Sequence, residues 1–298
     1  MDSFIHYDKC PVCSSSAIQP SLTTADNTVS GKFFSVWECR DCTLRFTQDV
    51  PDEESIGVYY KSENYISHTN TSKGLINKLY QQVRKITLQQ KRKLVIKATG
   101  LHKGVLLDVG SGTGAFVETM KKSNWQVTGI EPDADARKTA VVLNKTELLD
   151  AAVFFDLPAE KYDAITLWHV LEHVHRLHDY IFQLKKILKP EGRIFIAVPN
   201  YTSKDAAVYK EYWAAYDVPR HLYHFSPLSM KHLLENHGLK IEQYKPMWYD
   251  SFYISLLSSS YKNKKVNYLS AFINGLRSNL AAWRDVKKCS SVIYIIRK

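Results

Sequence analysis

From Gly104 onward, apolar and polar positions alternate between two periods. Val105 to Val109 is a short apolar run ended by glycines, Phe116 to Lys122 fits a helix, and Gln126 to Ile130 is a second run closed by Glu131. Asp133 to Leu143 reads as another helix and Tyr162 to Trp168 as a strand that closes on His169. Tyr180, Leu184, Ile187 and Leu188 recur at helical spacing, Pro190-Glu-Gly192 is the stop, and Arg193 to Val198 is the next strand. Pro227 to His237 is a later helix ended by Gly238. Ile241 to Trp248 and Val292 to Ile296 are then the last two strands, separated by an insertion at about 250–290. Strands alternating with helices predict a parallel sheet covered by helices on both faces.

The chain before Gly104 follows other patterns. Cys10-Pro-Val-Cys13 and Cys39-Arg-Asp-Cys42 are two CxxC pairs with 25 residues between them, and Cys289 stands apart. Each pair can turn two sulfurs toward one point, and two pairs complete a tetrahedral thiolate shell for Zn2+. The apolar runs Phe33, Phe34, Val36, Trp37 and Leu44, Phe46 around the second pair suit the short strands of a zinc ribbon. Four cysteine ligands leave no position for substrate, so the expected metal is structural; a redox pair or an accidental spacing is the alternative. Beyond Pro51-Asp-Glu-Glu-Ser55 comes an aromatic stretch holding Tyr60 and Tyr65, a candidate lid over a ligand or simple packing of the segment. Lys73 to Lys103 follows with nine Lys or Arg and no acid, and Leu75, Leu79, Val83 and Ile86 mark one face of an amphipathic helix. The organisation predicted is a zinc ribbon at 1–50, a connecting arm at 51–100 and an α/β domain at 101–298.

Length and charge add bounds. The 298 residues, 45% hydrophobic, can bury one large core or a core plus a small module. The chain has no uninterrupted apolar run of membrane-spanning length, and its start lacks the layout of a secretion signal, so the expectation is a soluble cytoplasmic protein without membrane insertion. A formal charge of +10 invites a nucleic-acid partner or an acidic substrate. Much of that excess lies on the basic helix, which reads as a solvated face or as a surface attracting a phosphate-bearing partner.

Asp108-Val-Gly110-Ser111-Gly112-Thr113-Gly114 ends the first strand and opens a helix, and Glu131 ends the second strand 17 residues after Gly114. Glycines there let a backbone approach a ligand, and a carboxylate at the end of the second strand can accept hydrogen bonds from both ribose hydroxyls. A dinucleotide fingerprint needs its third glycine one residue later, and a pyrophosphate would sit poorly beside Asp108. A ligand carrying an amino group and a sulfonium would sit well.

On these residues, with Trp168-His-Val-Leu-Glu-His-Val174, Leu188-Lys-Pro-Glu-Gly-Arg193, Val198-Pro-Asn200 and Asp217-Val-Pro-Arg-His-Leu-Tyr-His-Phe-Ser226, the chain resembles the class I S-adenosylmethionine-dependent methyltransferases over roughly residues 100–240. The resemblance implies a Rossmann-like seven-stranded sheet in order 3-2-1-4-5-7-6 with the last strand antiparallel. It implies S-adenosylmethionine as co-substrate, with Asp108 near the methionine amino group and Gly110, Ser111, Gly112, Thr113 and Gly114 along the methionine and ribose. Glu131 would then hold the ribose, Phe155 and Asp156 would flank adenine, and His169 would lie against the methionine. A leading ribbon also occurs on small-molecule C- and O-methyltransferases of such families.

Transfer to a hydroxyl or acidic carbon needs a proton acceptor, for which His173, His221 and His224 are candidates, each with a core or capping role as the alternative. Arg220 could bind a carboxylate or phosphate on the acceptor, and Trp213, Tyr216 and Tyr223 could wall it, though core packing explains aromatics equally well. The expected partner is a small-molecule acceptor, first a sugar-nucleotide or polyketide-like one and second a quinone or phenol. The rival is an RNA or other nucleic-acid methyltransferase, favoured by charge, although the chain lacks the N/D-P-P-Y motif after its fourth strand. His169-Val-Leu-Glu172-His173 also matches H-x-x-E-H, but its place just after a sheet strand argues against a peptidase and leaves Glu172 to brace the site. A zinc-bearing scaffold without activity is disfavoured by the intact glycines and Glu131.

Overall fold

A computed structural model describes residues 3–60 and 75–298; Tyr65, and with it half of the candidate lid, lies outside them. The N-terminal part is built from β1 (Phe4–Ile5), β2 (Ile18–Ala25), β3 (Phe33–Cys39), β4 (Arg45–Thr47) and β5 (Val50–Pro51). β2, β3 and β4 form an antiparallel meander, and the two CxxC turns lie before β2 and between β3 and β4. A helix α1 (Leu75–Thr99) then leads into β6 (Val105–Val109), α2 (Ala115–Lys121), β7 (Gln126–Ile130), α3 (Ala134–Asn144), β8 (Tyr162–Trp168), α4 (Leu177–Ile187) and β9 (Leu188–Pro199). The rest comprises α5 (Lys204–Tyr209), β10 (Tyr223–His224), α6 (Pro227–Asn236), β11 (Lys240–Pro246), α7 (Asp250–Asn263), α8 (Tyr268–Arg284) and β12 (Ser291–Arg297).

The central sheet runs β11-β12-β9-β8-β6-β7, with β7, β6, β8 and β9 parallel and β12 antiparallel to both its neighbours. Numbered by the α/β core alone this is 2-1-4-5-7-6, so the expected order holds among the described residues except that the third strand is missing. Its place is taken by a single parallel bridge between Ile130 and Leu149. Immediately afterwards Asp150 accepts a hydrogen bond from the Ala152 amide and caps a 3-10 turn over Ala151–Asp156, which carries the chain away from the sheet edge. The fifth core strand is longer than Pro190-Glu-Gly192 led us to expect, because helix α4 ends at Ile187 and pairing begins at Leu188. The core is hydrophobic on both faces of the sheet: Leu107, Ile165, Leu167 and Ile194 pack on one side, and Leu106, Ala164 and Phe195 with Phe116 and Val95 on the other.

The ribbon is joined to the α/β part by hydrogen bonds, since β10 adds to its sheet as a fourth strand beside β4, with Tyr223 opposite Phe46 and His224 opposite Arg45. Helix α1 differs from its sequence pattern. Ile86 is 46% exposed, and the inward positions are Leu88, Lys91 and Val95. The amphipathic reading placed the basic residues in water; three of them instead turn toward the domain, Arg84 to Thr113, Arg92 to Ser123 and Lys91 over the Trp168 ring.

Candidate functional site

The carboxyl ends of β6, β7 and β8 deliver Asp108, Glu131 and His169 to one edge of the sheet. Between β6 and α2 the chain turns through Gly110, Gly112 and Gly114, all with positive φ (69°, 53° and 76°), which a side chain would resist. The three glycines differ in what they face. A Cβ on Gly110 would lie 2.4 Å from Val170 and one on Gly114 3.2 Å from Ala140, whereas one on Gly112 would meet nothing within 4 Å. Gly110 and Gly114 therefore allow close packing of the chain on itself, and only Gly112 opens backbone toward free space. The turn is fixed from beneath: the Gly110 and Ser111 amides donate to Ile130 O at 2.8 and 2.9 Å, and Ser111 Oγ donates to Asp108 O at 2.9 Å. Thr113 is held by Asn144, which donates to its carbonyl at 2.6 Å, and by Arg84, which donates to its hydroxyl at 3.1 Å.

Glu131 accepts the Gly112 amide at 2.7 Å on one oxygen and the Asp133 amide at 3.0 Å on the other. Two backbone donors fix its orientation and leave further lone pairs on each oxygen, as a pair of ribose hydroxyls requires. Burial nonetheless raises its affinity for a proton against these two donors. Asp108 is 1% exposed and accepts from Thr166 Oγ1 at 2.6 Å. Burial pushes its carboxyl up to about 6, opposed by Thr166 and by the Lys91 charge. Lys91, missed in the sequence because it looked like one more solvated helix charge, sits 4.4 Å from the centre of the Trp168 ring. Burial draws it down to about 8 despite the attraction of Asp250 and Asp108.

His169 adopts a left-handed backbone (φ 59°), which turns its ring across the edge of the sheet. Its Nε2 is 3.0 Å from Asp250 Oδ2 and its Nδ1 3.3 Å from Glu172 Oε1. Burial works against the charged ring, but the two carboxylates outweigh it and hold His169 at about 9. Asp250, at the start of the insertion, carried no sequence signal of its own. It also borders a 210 Å³ cavity between α1 and the end of β11, lined by Gln90, Lys91, Leu94, Met247 and Trp248.

Glu172 is fully buried, and among the described residues its Oε2 has no hydrogen-bond partner. A carboxylate oxygen of Glu172 and a ring nitrogen each of His173 and His221 lie within 4.8 Å of one another. His173 Nδ1 is 3.0 Å from Arg220 O and from Tyr60 OH, and His221 Nδ1 is 2.9 Å from Ala215 O. A carbonyl only accepts, so each Nδ1 carries a proton, and His221 Nε2 faces Asp217 Oδ2 at 4.0 Å. Burial and the neighbouring His221 lower His173 to about 4, so it is neutral at pH 7. The trio could accept a proton or hold a divalent cation, with ring N–H groups anchored to carbonyls as metal-binding histidines require.

Several expected roles do not survive in this geometry. Arg220 is fully buried and its guanidinium is consumed by Asp217 at 2.7 Å, Asp26 at 2.9 Å and Tyr59 O at 2.7 Å, which makes it a clamp between ribbon and α/β domain and not an acceptor ligand. Trp213, Tyr216 and Tyr223 are at most 3% exposed and form core, with Trp213 Nε1 donating to Asp205. His224 is turned away from the cleft into the ribbon joint, 3.2 Å from Thr47 Oγ1, where burial drives its pKa well down. Phe155 and Asp156 close the 3-10 turn rather than a strand; Phe155 packs against Tyr180 under the Arg176 guanidinium. At the N-terminus the sulfurs of Cys10, Cys13, Cys39 and Cys42 lie within 4.8 Å of one another, with Cys10–Cys42 at 3.5 Å and Cys13–Cys39 at 3.6 Å. Four sulfurs about 2.3 Å from a common centre stand about 3.8 Å apart, so the cluster fits a tetrahedral metal.

A parallel sheet with a reversed final strand, a glycine turn after its first strand and an acid ending its second together define the fold of the class I S-adenosylmethionine-dependent methyltransferases. The chain belongs to the methyltransferase domain family, whose model matches residues 80–244. Among curated relatives, ubiquinone biosynthesis O-methyltransferase of Xanthomonas oryzae pv. oryzae (strain PXO99A) is 32% identical over 179 residues, 55% of this chain and 74% of that one. The mitochondrial ubiquinone biosynthesis O-methyltransferase of Mus musculus is 31% identical over 166 residues, 49% of this chain and 44% of its own. The chain spans about half the length of several curated relatives it matches. Magnesium protoporphyrin IX methyltransferase from Synechocystis PCC 6803, solved with bound SAH, shares the fold at a TM-score of 0.53 and 14% identity, covering 83% of this chain and 100% of that one.

Proposed function

We propose that this chain transfers a methyl group from S-adenosylmethionine to the oxygen of a small phenolic or quinone-like acceptor. The observation that carries the reading is the pairing of Gly112, whose Cα faces open space, with Glu131, whose carboxylate is pinned by the Gly112 amide. The relatives named for ubiquinone biosynthesis reverse the order in which the sequence ranked acceptors, putting the phenolic class ahead of sugar-nucleotides.

S-adenosylmethionine supplies an electrophilic methyl on a sulfonium, which leaves as a neutral thioether. Glu131 would hold the ribose, Asp108 would offer its negative charge to the amino group and Lys91 the opposite charge to the carboxylate, while Gly112 would leave the backbone open to the ligand. His173, whose Nδ1 proton is held by Arg220 O and which has His221 beside it, would accept the acceptor's single hydroxyl proton on Nε2 as the carbon–oxygen bond forms, and Glu172 would stabilise the imidazolium that results. Structural Zn2+ in the Cys10, Cys13, Cys39, Cys42 cluster would hold the ribbon against this acceptor side. Calorimetry with S-adenosylmethionine and with its demethylated product, followed by labelled methyl transfer to a panel of phenols and nucleoside-diphosphate sugars, tests the reading. Absence of binding to either cofactor form would overturn it, and transfer to sugars alone would overturn the acceptor class.

A further inference from the structure

Helix α8 is turned inside out relative to a helix facing water. Its inner face is made of Ala271, Gly275, Ser278 and Ala282, all buried, while its outer face carries Leu269, Phe272, Ile273, Leu276, Leu280 and Trp283 at 71, 57, 38, 44, 55 and 80% exposure. The spacing of three and four residues makes the outer set one continuous apolar stripe, about 21 Å long at about 1.5 Å per residue. The stripe cannot rotate inward. Ser278 Oγ donates to the buried Asp205 at 2.6 Å, Asn279 donates to Trp248 O at 2.8 Å, and a Cβ on Gly275 would stand 2.7 Å from the Phe252 ring of α7.

Charge surrounds this stripe. Arg277 and Arg284 are exposed on α8 itself, Lys262, Lys264 and Lys265 are exposed at the turn before it, and Lys287 and Lys288 are exposed beyond its end. Asp285 is the one acid between residues 251 and 291. Pairing two copies through this face would set these cations against each other. A lipid bilayer with anionic headgroups satisfies both halves of the pattern, taking the large apolar side chains at the acyl boundary and the lysines and arginines at the phosphates. Among the described residues no helix is long and apolar enough to cross a membrane, so the contact is one of lying on the surface.

We propose that α8 seats this protein on anionic membrane surfaces. This goes beyond the methyl-transfer reading and stands or falls separately from it. The test is co-sedimentation of the full chain with phosphatidylcholine vesicles and with vesicles that also contain phosphatidylglycerol, for the parent protein, the Leu276→Glu/Leu280→Glu variant and the charge-reversed Lys287→Glu/Lys288→Glu variant. The expected result is binding to the phosphatidylglycerol vesicles that weakens in high salt and falls about ten-fold or more in both variants, because buried apolar area and headgroup attraction each contribute. Unchanged melting temperatures and S-adenosylmethionine binding would show that the variants fold. No sedimentation of the parent, equal binding to phosphatidylcholine alone, or equal binding by the variants would overturn the proposal. So would a parent dimer in solution that becomes a monomer in Leu276→Glu/Leu280→Glu.

Discussion

The carboxylate of Asp108 accepts the Thr166 hydroxyl at 2.6 Å where the two residues face each other across the β6–β8 pair, both buried. Burial keeps the Asp108 pKa up at about 6 against the Thr166 and Ser111 hydroxyls and the Lys91 charge. Relative to about 3.9 in the unfolded chain, a raised folded pKa means that the folded state binds the proton more tightly. Stability contributed by this site is present below pH 4 and lost as pH rises through 6. At pH 7 the ligand-free protein therefore carries a buried charge that a cationic ligand would relieve. Asp108→Asn should raise the melting temperature of the ligand-free protein at pH 7, by the equivalent of about 1–3 kcal/mol, while lowering S-adenosylmethionine affinity at least about ten-fold. Differential scanning fluorimetry and calorimetry on one preparation would check both; lost stability together with lost binding would contradict the assignment.

The glycine turn offers a sharper separation of fold from ligand. Gly110→Ala brings a Cβ to 2.4 Å from Val170 and should cost several degrees of melting temperature. Gly112→Ala has free space and pays only the strain of a positive φ, about 1 kcal/mol. Cofactor affinity should nevertheless fall more for Gly112→Ala than its small melting shift suggests, because the added methyl stands where the ligand approaches. Equal affinity in Gly112→Ala and parent protein would move the cofactor elsewhere.

What the sequence revealed of this site follows from how local the signal was. Asp108, the three glycines and Glu131 lie at strand ends marked by apolar runs, so their meeting at one sheet edge was legible from periodicity alone. The two CxxC pairs were legible for the same reason, since each fixes its own turn. The third strand was not, because Thr146 to Asp156 mixes apolar residues with a capping aspartate, and the cap at Asp150 won. Lys91 and Asp250 were invisible as site residues: one looked like a solvated charge, the other like the start of an insertion, and only tertiary packing sets them beside Trp168 and His169. Arg220 shows the opposite error, a charge whose motif suggested a ligand and whose burial assigns it to Asp26 and Asp217.

His169 should report the state of that second carboxylate. With Asp250 and Glu172 beside it, its pKa is raised to about 9, so its contribution to stability is fully present below about 6.5 and lost as pH rises through 9. Asp250→Asn removes one partner and should move this window down toward neutrality. Melting temperature measured from pH 6 to 10 would then begin to fall at a lower pH than in the parent protein. An unchanged profile would mean that Glu172 alone holds the ring.

Arg220 should be worth more to the fold than to catalysis. Arg220→Met leaves Asp26 buried without its cation and should destabilise the protein by about 3–5 kcal/mol, whereas adding Asp26→Asn should restore part of the loss, as expected when an unpaired charge is the source of the cost. Denaturant titration of the two single variants and the double variant would measure the coupling. Additive losses would show that the clamp between ribbon and α/β domain does not act through this pair.

Metal removal should propagate along the same joint. The ribbon strand β4 pairs with β10, Thr47 Oγ1 donates to His221 O at 2.7 Å, and His221 belongs to the trio with Glu172 and His173. A chelator strong enough to strip the four cysteines, or Cys39→Ser, should therefore release about one equivalent of metal and lower the melting temperature. It should also reduce methyl transfer more than it reduces S-adenosylmethionine binding, because the Gly112–Glu131 edge lies on β6 and β7, away from the β4–β10 pairing. Measuring the cofactor dissociation constant and the turnover rate on the same stripped sample separates the two effects. Equal loss of binding and turnover would show that the ribbon supports the whole domain and not the acceptor side alone.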